Sequence, residues 1–349
     1  MAVHTVMTLE RLCLVPVAIS VCSSSVVREL EKTIVSSFLD SDEWKSLICK
    51  KLSRYLVLPL SKRLTYCIKP ICFEITMWKT NHFEILGSSV HNPIDFFWDS
   101  MGTIDHLKTA KRLVHCHDLT LPQRFAIACH YCMVTEAQRL WNKASESEKN
   151  FLMKLAKPKE EVYYKSPKEI HTRITQGNAV LRFWIDWLQE GTKNEHDCEY
   201  FHSTLLWNRY IPVLSHLVQT LTSEEAVGFF SCRMKWNYRI NNNERFFLSN
   251  LRLVDRTELF KTQPFEILVM HLQWPLQIEF IRMADCLWSH LTKRNFLDML
   301  FVIVCEKINK QWKDYDYFEL IREFWHRSPE NFKQYVVQSN YFPCFEIYL

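Results

Sequence analysis

The chain has 349 residues and 41.9 kDa, with 48% hydrophobic and 23% charged side chains, enough apolar material for a large core and a composition that excludes general disorder. Its 43 basic and 39 acidic side chains leave a formal charge of +4 and a pI near 8.3, too balanced for the clustered positive footprint of a nucleic-acid binder. Only 5 glycines argue against sandwiches, dinucleotide-binding folds and P-loop folds, which rely on glycine for turns, bulges and phosphate cradles.

In chain order, the first apolar run covers residues 12–22, between Arg11 and a run of serines at 23–25. It has the length of a signal-peptide core, but Glu10 offsets Arg11 and Pro16 interrupts it. The expectation is a first buried helix, with a secreted helical protein as the alternative. Helices follow over 26–39 and 43–58, and Pro59 opens another that Pro70 interrupts before 73–86. Gly87 through Pro93 marks a boundary between an N-terminal helical segment, 1–92, and a helical stack, 93–349.

A helix over 95–115 precedes the best-marked one, 119–141. Thr120 and Gln123 form a capping box with Pro122 in the first turn. Behind them Phe125, Ala128, Cys129, Cys132, Met133, Ala137, Leu140 and Trp141 recur at steps of three and four, one wide apolar stripe. Ser145 with Glu148 caps the next helix. Residues 157–168 read as a linker, and Ser166 with Glu169 as a further capping box. The helix over 180–189 carries Trp184 and Trp187, and longer helices follow over 200–220 and from Thr222. Asn241 to Asn243 form a polar break. Pro264 and Pro275 open successive helices reaching His290, and Thr292, Asp314 and Ser328 with Pro329 begin the last three. Residues 253–259 are too charged for a strand, and 341–349 form an aromatic tail able to run across a helical surface. The expected class is all-α, an irregular stack of antiparallel helix pairs, with a compact helical domain as the competitor. Tetratricopeptide and ankyrin signatures are absent.

The 13 cysteines are odd in number and scattered within apolar stripes, which reads as buried free thiols in a reducing, cytoplasmic compartment. No run approaches the ~20 apolar residues of a membrane span. The run from His115 to Cys132 looks like a set of metal ligands when written flat. Helical rise separates His115 and His117 from Cys129, and a hairpin centred near Asp118 leaves His106, Cys129 and Cys132 as the geometrically sensible set. Core packing of both cysteines is the stronger reading, and no metal or cofactor is assigned. Cys129 and Cys132 also lack the helix-N-terminal placement of an active dithiol. His196, Cys198 and His202 lack further ligands nearby. Asp95, Asp99 and Asp105 read as caps or solvated carboxylates. No nucleophile elbow, zincin motif, Walker loop or dinucleotide fingerprint occurs, so no catalytic residue is assigned.

Two stretches carry a resemblance. The string 125–133, Phe-Ala-Ile-Ala-Cys-His-Tyr-Cys-Met, with Leu140–Trp141 and the preceding Gly102-Thr103-Ile104-Asp105, resembles a lineage-expanded family of uncharacterised α-helical proteins from arachnids. The stretch 69–75, Lys-Pro-Ile-Cys-Phe-Glu-Ile, with Trp78–Lys79, is similar too. The resemblance covers the first half of the chain and implies a helical fold, with no activity, cofactor or site.

The functional expectation is a protein-interaction module without catalytic activity. Candidate anchors are Trp184 and Trp187 with Arg182, although core burial of both tryptophans is the stronger reading. An enzyme with an unfamiliar helical site, using His106 with Asp105, is the alternative.

Overall fold

The computed structural model describes residues 9–23, 50, 58–91, 94–156, 176–190 and 251–349, with single residues at 222, 224, 227, 228 and 248. These residues are predominantly helical, and no strand occurs among them beyond an isolated bridge between Trp98 and Ile104. The all-α expectation holds. The helices expected over 26–39 and 200–220, most of that over 43–58, the linker at 157–168, the Ser166 capping box and the polar break at 241–243 lie outside the described residues.

Helix α1, Leu9–Cys22, buries Leu14, Val15, Ala18 and Cys22 against α2, Leu58–Leu86. Both helices contain an interior proline, Pro16 and Pro70, which the sequence predicts as interruptions. Pro70 removes one backbone donor, yet α2 continues through it. Flanking Ile68, Ile71 and Cys72 are almost fully buried, so tertiary packing holds the backbone where local propensity would break it. Among the described residues no helix is long and apolar enough to cross a membrane.

The helix expected over 95–115 is shorter in the fold. Residues 94–105 are non-helical, and α3 runs only over His106–Val114, with Asp105 as its cap, accepting from Lys108 N. Asp99 explains the loop, because its carboxylate accepts from Met101 N and Thr103 N at 2.9 Å each. Asp95 pairs with Arg112. All three carboxylates serve local structure.

The helix expected over 119–141 is two helices, α4, Leu121–His130, and α5, Val134–Lys143. The capping box of Thr120 and Gln123 is present, and Gln123 also donates to Leu86 O at the end of α2. The break falls at Cys132, which adopts φ 48°, a left-handed conformation that ends the helix. Helix α4 is buried on every side from Phe125 to His130 because it packs against α2, α3, α5, α6 (Glu146–Ala156) and α7 (Gln176–Glu190).

The C-terminal part begins with α8, Leu253–Thr262, and α9, Pro264–His271. A 3-10 turn, Leu276–Glu279, leads into α10, Phe280–Leu287. Helix α11, Lys293–Phe301, starts at a Thr292/Asn295 capping box and continues as a π-helical segment, Val302–Ile308. Then come α12, Tyr317–Arg327, capped by Asp316 rather than the expected Asp314, and α13, Glu330–Val337. An aromatic knot of Phe280, Trp288, Phe296, Phe324 and Phe332 fills the space among these helices. The tail folds back as a 3-10 turn, Phe342–Cys344, that buries Phe345 against Phe301.

Contacts run between the first and last parts of the chain. Trp274 Nε1 donates to Gly102 O at 3.2 Å, and the Arg11 guanidinium lies 4.0 Å over the Trp274 ring. Gly102 has φ +81°, and a Cβ there would meet Val15 Cγ1 at 2.9 Å and Trp274 Cζ2 at 3.1 Å. Glycine is required at that position by both dihedral and space.

Candidate functional site

Two groups of polar side chains are built into this interior. The first grows from spacing on α2. Trp78 and His82 lie one helical turn apart, so their rings stack at 3.8 Å between centroids. His82 Nδ1 sits 2.7 Å from Trp78 O, and a carbonyl only accepts, so Nδ1 carries the proton. Nε2 is then an acceptor, and the Tyr131 hydroxyl, 2.7 Å away, donates to it. This fixes one neutral tautomer. His130 and His106 close the group, at 5.4 and 6.3 Å from the His82 ring.

Electrostatics follow from burial. His82 is pushed well below the ordinary imidazole range by desolvation, then by the neighbouring His130 and His106. His130 is lowered to about 3, by desolvation first and His106 second. Burial pushes the Tyr131 phenol far up. Protonation of His82 would reverse the Tyr131 hydrogen bond and place an unpaired charge in a buried site, which desolvation and the neighbouring imidazoles oppose. The group acts as a neutral strut joining α2, α3 and α4.

The hairpin reading brings His106 to the right level, but its neighbours are His82 and His130. His106, Cys129 and Cys132 do not form a metal-holding group, and no such group occurs among the described residues. Burial raises the Cys129 thiol well above its usual range, and lifts Cys132 to about 12. Both are protonated thiols at neutral pH. Cys132 lies in the turn after α4, not on a helical stripe. Asp105 caps α3 and pairs with Lys108 at 3.0 Å. His115, at the turn, faces Glu136 at 3.8 Å, and Cys116 reaches Asp118. The set His196, Cys198 and His202 lies outside the described residues.

The second group is centred on Asp314, which follows the π segment. Its carboxylate accepts from Gln277 Nε2 at 2.5 Å and from the Tyr317 hydroxyl at 3.2 Å. Burial raises the Asp314 pKa, while Lys307 and the Tyr317 hydrogen bond oppose the rise. Lys307 is itself buried. Its ammonium contacts Gln273 Oε1 at 3.4 Å and lies 5.0 Å over the Trp312 ring, whose face also receives Lys69 Nζ at 4.3 Å. The π geometry, with Trp312 N bonded to Lys307 O, brings these residues together. Burial also lowers Arg11, opposed by Cys67, Asp314 and two tyrosines. This group ties α1 and α2 to the C-terminal helices.

Sequence reasoning missed His82, Tyr131, Lys307 and Asp314 as partners. The legible signal for the first was the Trp78/His82 spacing on an apolar helix. Of the candidate anchors, Trp184 is buried and packs edge-on against Trp187 at 5.4 Å, while Arg182 is exposed and reaches Ala156 O. All nine described tryptophans are buried or half-buried. Exposed aromatic surface instead comes from phenylalanine and tyrosine.

No protein-family model, curated protein or solved structure matches this chain at a significant level.

Proposed function

We propose that this protein is a helical protein-interaction module, an irregular stack working in a reducing, cytoplasmic compartment. The supporting observation is the surface formed by α11, α13 and the folded tail. Tyr335 and Tyr341 are 37% and 48% exposed, and both lie within electrostatic reach of Arg294, which pairs with Asp298 at 2.9 Å. Phe318 lies tilted against Tyr348, with ring centroids 6.0 Å apart, and receives Lys313 Nζ at 5.6 Å. Ile347 is 77% exposed. Exposed tyrosine and arginine on a rigid support are the residue types that anchor protein interfaces. His82 and Asp314 in the interior, by contrast, already hold hydrogen-bond partners within the fold.

Affinity purification with mass spectrometry tests this reading, comparing wild type with a Tyr335→Ala/Tyr341→Ala variant whose fold is checked by circular dichroism. The expected result is a set of co-purifying proteins lost from the variant. Equal recovery from both proteins would refute the assignment of this surface.

A further inference from the structure

Cys22 is the last residue of α1, and Cys72 lies in the middle of α2. Their sulfurs are 3.5 Å apart, and both side chains are buried, at 2% and 1% exposure. Cys22 Sγ also points toward Ile68 O, one turn before Cys72 on the same helix, at 3.9 Å. Two thiols in direct contact across a helix pair differ from the scattered core cysteines. A disulfide needs an S–S distance of ~2.05 Å, so closure asks for ~1.5 Å of approach. That approach requires side-chain rotation and a shift of α1 against α2.

We propose that Cys22 and Cys72 are a redox modification site, a thiol pair that closes to a disulfide and fastens α1 to α2. The oxidant is a small-molecule disulfide of the glutathione class. Access comes through Cys22, because Ser23 beside it is exposed and helix termini open locally at little cost. The Cys22 thiolate attacks one sulfur of the small disulfide, forming a mixed disulfide and releasing one small thiolate. The Cys72 thiolate then attacks Cys22 Sγ and expels the second. Two protein thiols are oxidised, one small disulfide is reduced to two thiols, and the two protons pass to those products. The link spans 50 residues of chain and restrains the unfolded state accordingly. This inference stands apart from the interaction surface at the other end of the chain.

The test uses the full-length protein equilibrated with excess oxidised or excess reduced glutathione, then alkylated and digested without reduction. Mass spectrometry of the oxidised arm is expected to show a linked peptide joining Cys22 to Cys72, absent from the reduced arm. Closure raises the melting midpoint by about 5 °C for a loop and chain of this length. That rise disappears in C22S and in C72S and persists in C129S. Folded, oxidised protein that yields Cys22 and Cys72 both alkylated once denatured, or Cys22 linked elsewhere, overturns the proposal. The linkage is read in wild type, so a variant that fails to fold does not obscure it.

Discussion

Acidification should unfold this protein through three buried imidazoles. His82 and His271 each donate Nδ1–H to the carbonyl one turn earlier, Trp78 O and Ile267 O, both at 2.7 Å. His130 is buried beside His106. In the unfolded chain these rings protonate near pH 6.5. In the fold His130 is lowered to about 3 and His271 to about 4, and His82 lies well below the usual value, in each case chiefly by desolvation. Depressed folded values mean that the unfolded state binds the extra protons. Stability is therefore intact above pH 6.5 and falls as pH drops toward the folded values. Each excluded proton contributes about 1.4 kcal/mol per pH unit, so three give about 4 kcal/mol per unit. From pH 6.5 to pH 5 the integrated loss is about 5 kcal/mol, because the unfolded imidazoles are only half protonated at the upper limit, and this is comparable with the whole stability of many domains. Urea unfolding followed by tryptophan fluorescence between about pH 7 and pH 5 measures the slope. A His130→Gln variant should lower it by about a third. A flat profile through this window, or a slope unchanged in the variant, would refute the reasoning.

Gly102→Ala should lower stability by about 2–4 kcal/mol, from left-handed backbone strain plus collision with Val15 and Trp274, while Gly87→Ala, with φ +56° but open space, should cost about 1–2 kcal/mol. Thermal melts of the two variants check the difference. Tyr131→Phe leaves His82 Nε2 a buried acceptor without its donor and should cost about 1–3 kcal/mol by urea unfolding. Phe296→Ala removes the ring shared by Trp288, Phe324, Trp325 and Phe332, and should cost about 3–5 kcal/mol in the same assay. Cys132→Gly should be more stable than Cys132→Ala by about 1 kcal/mol, because alanine keeps the strain of φ 48°. The opposite order would indicate a helix running through that residue.

The helical class and the capped helix starts were legible in the sequence because their signals are local. Thr120 with Gln123 and Thr292 with Asn295 hold capping boxes in the fold, although the latter's asparagine partner was not foreseen. Helix ends were less legible. Glycine after the last turn is the usual stop signal, and this chain has 5 glycines in all. Cys132 and Gln311 adopt left-handed backbone instead, at φ 48° and 53°. The apolar period therefore continued from α4 into α5 with nothing in the residue types to mark the turn. Prolines misled in the other direction. Pro70 lies inside a 29-residue helix, because burial of Ile68, Ile71 and Cys72 around it outweighs the ~3 kcal/mol that an interior proline costs.

The interior polar groups explain why sequence spacing placed His106 correctly and its partners wrongly. A hairpin register depends on two adjacent helices, so counting residues from Asp118 was enough to bring His106 level with the end of α4. The third element, α2, enters from 37 residues upstream of that cap, at the Gln123–Leu86 bond. No pattern within α3 or α4 points to it. Once α2 is in place, its His82 ring occupies the space between His106 and His130 and accepts from Tyr131. A metal ion there would meet neutral, mutually packed rings whose donor atoms are already engaged at His82. The Asp314 group follows the same logic at larger separation, with Gln277 and Asp314 brought together across 37 residues by the π segment. In both places long-range packing, and not local spacing, decides which side chains become partners.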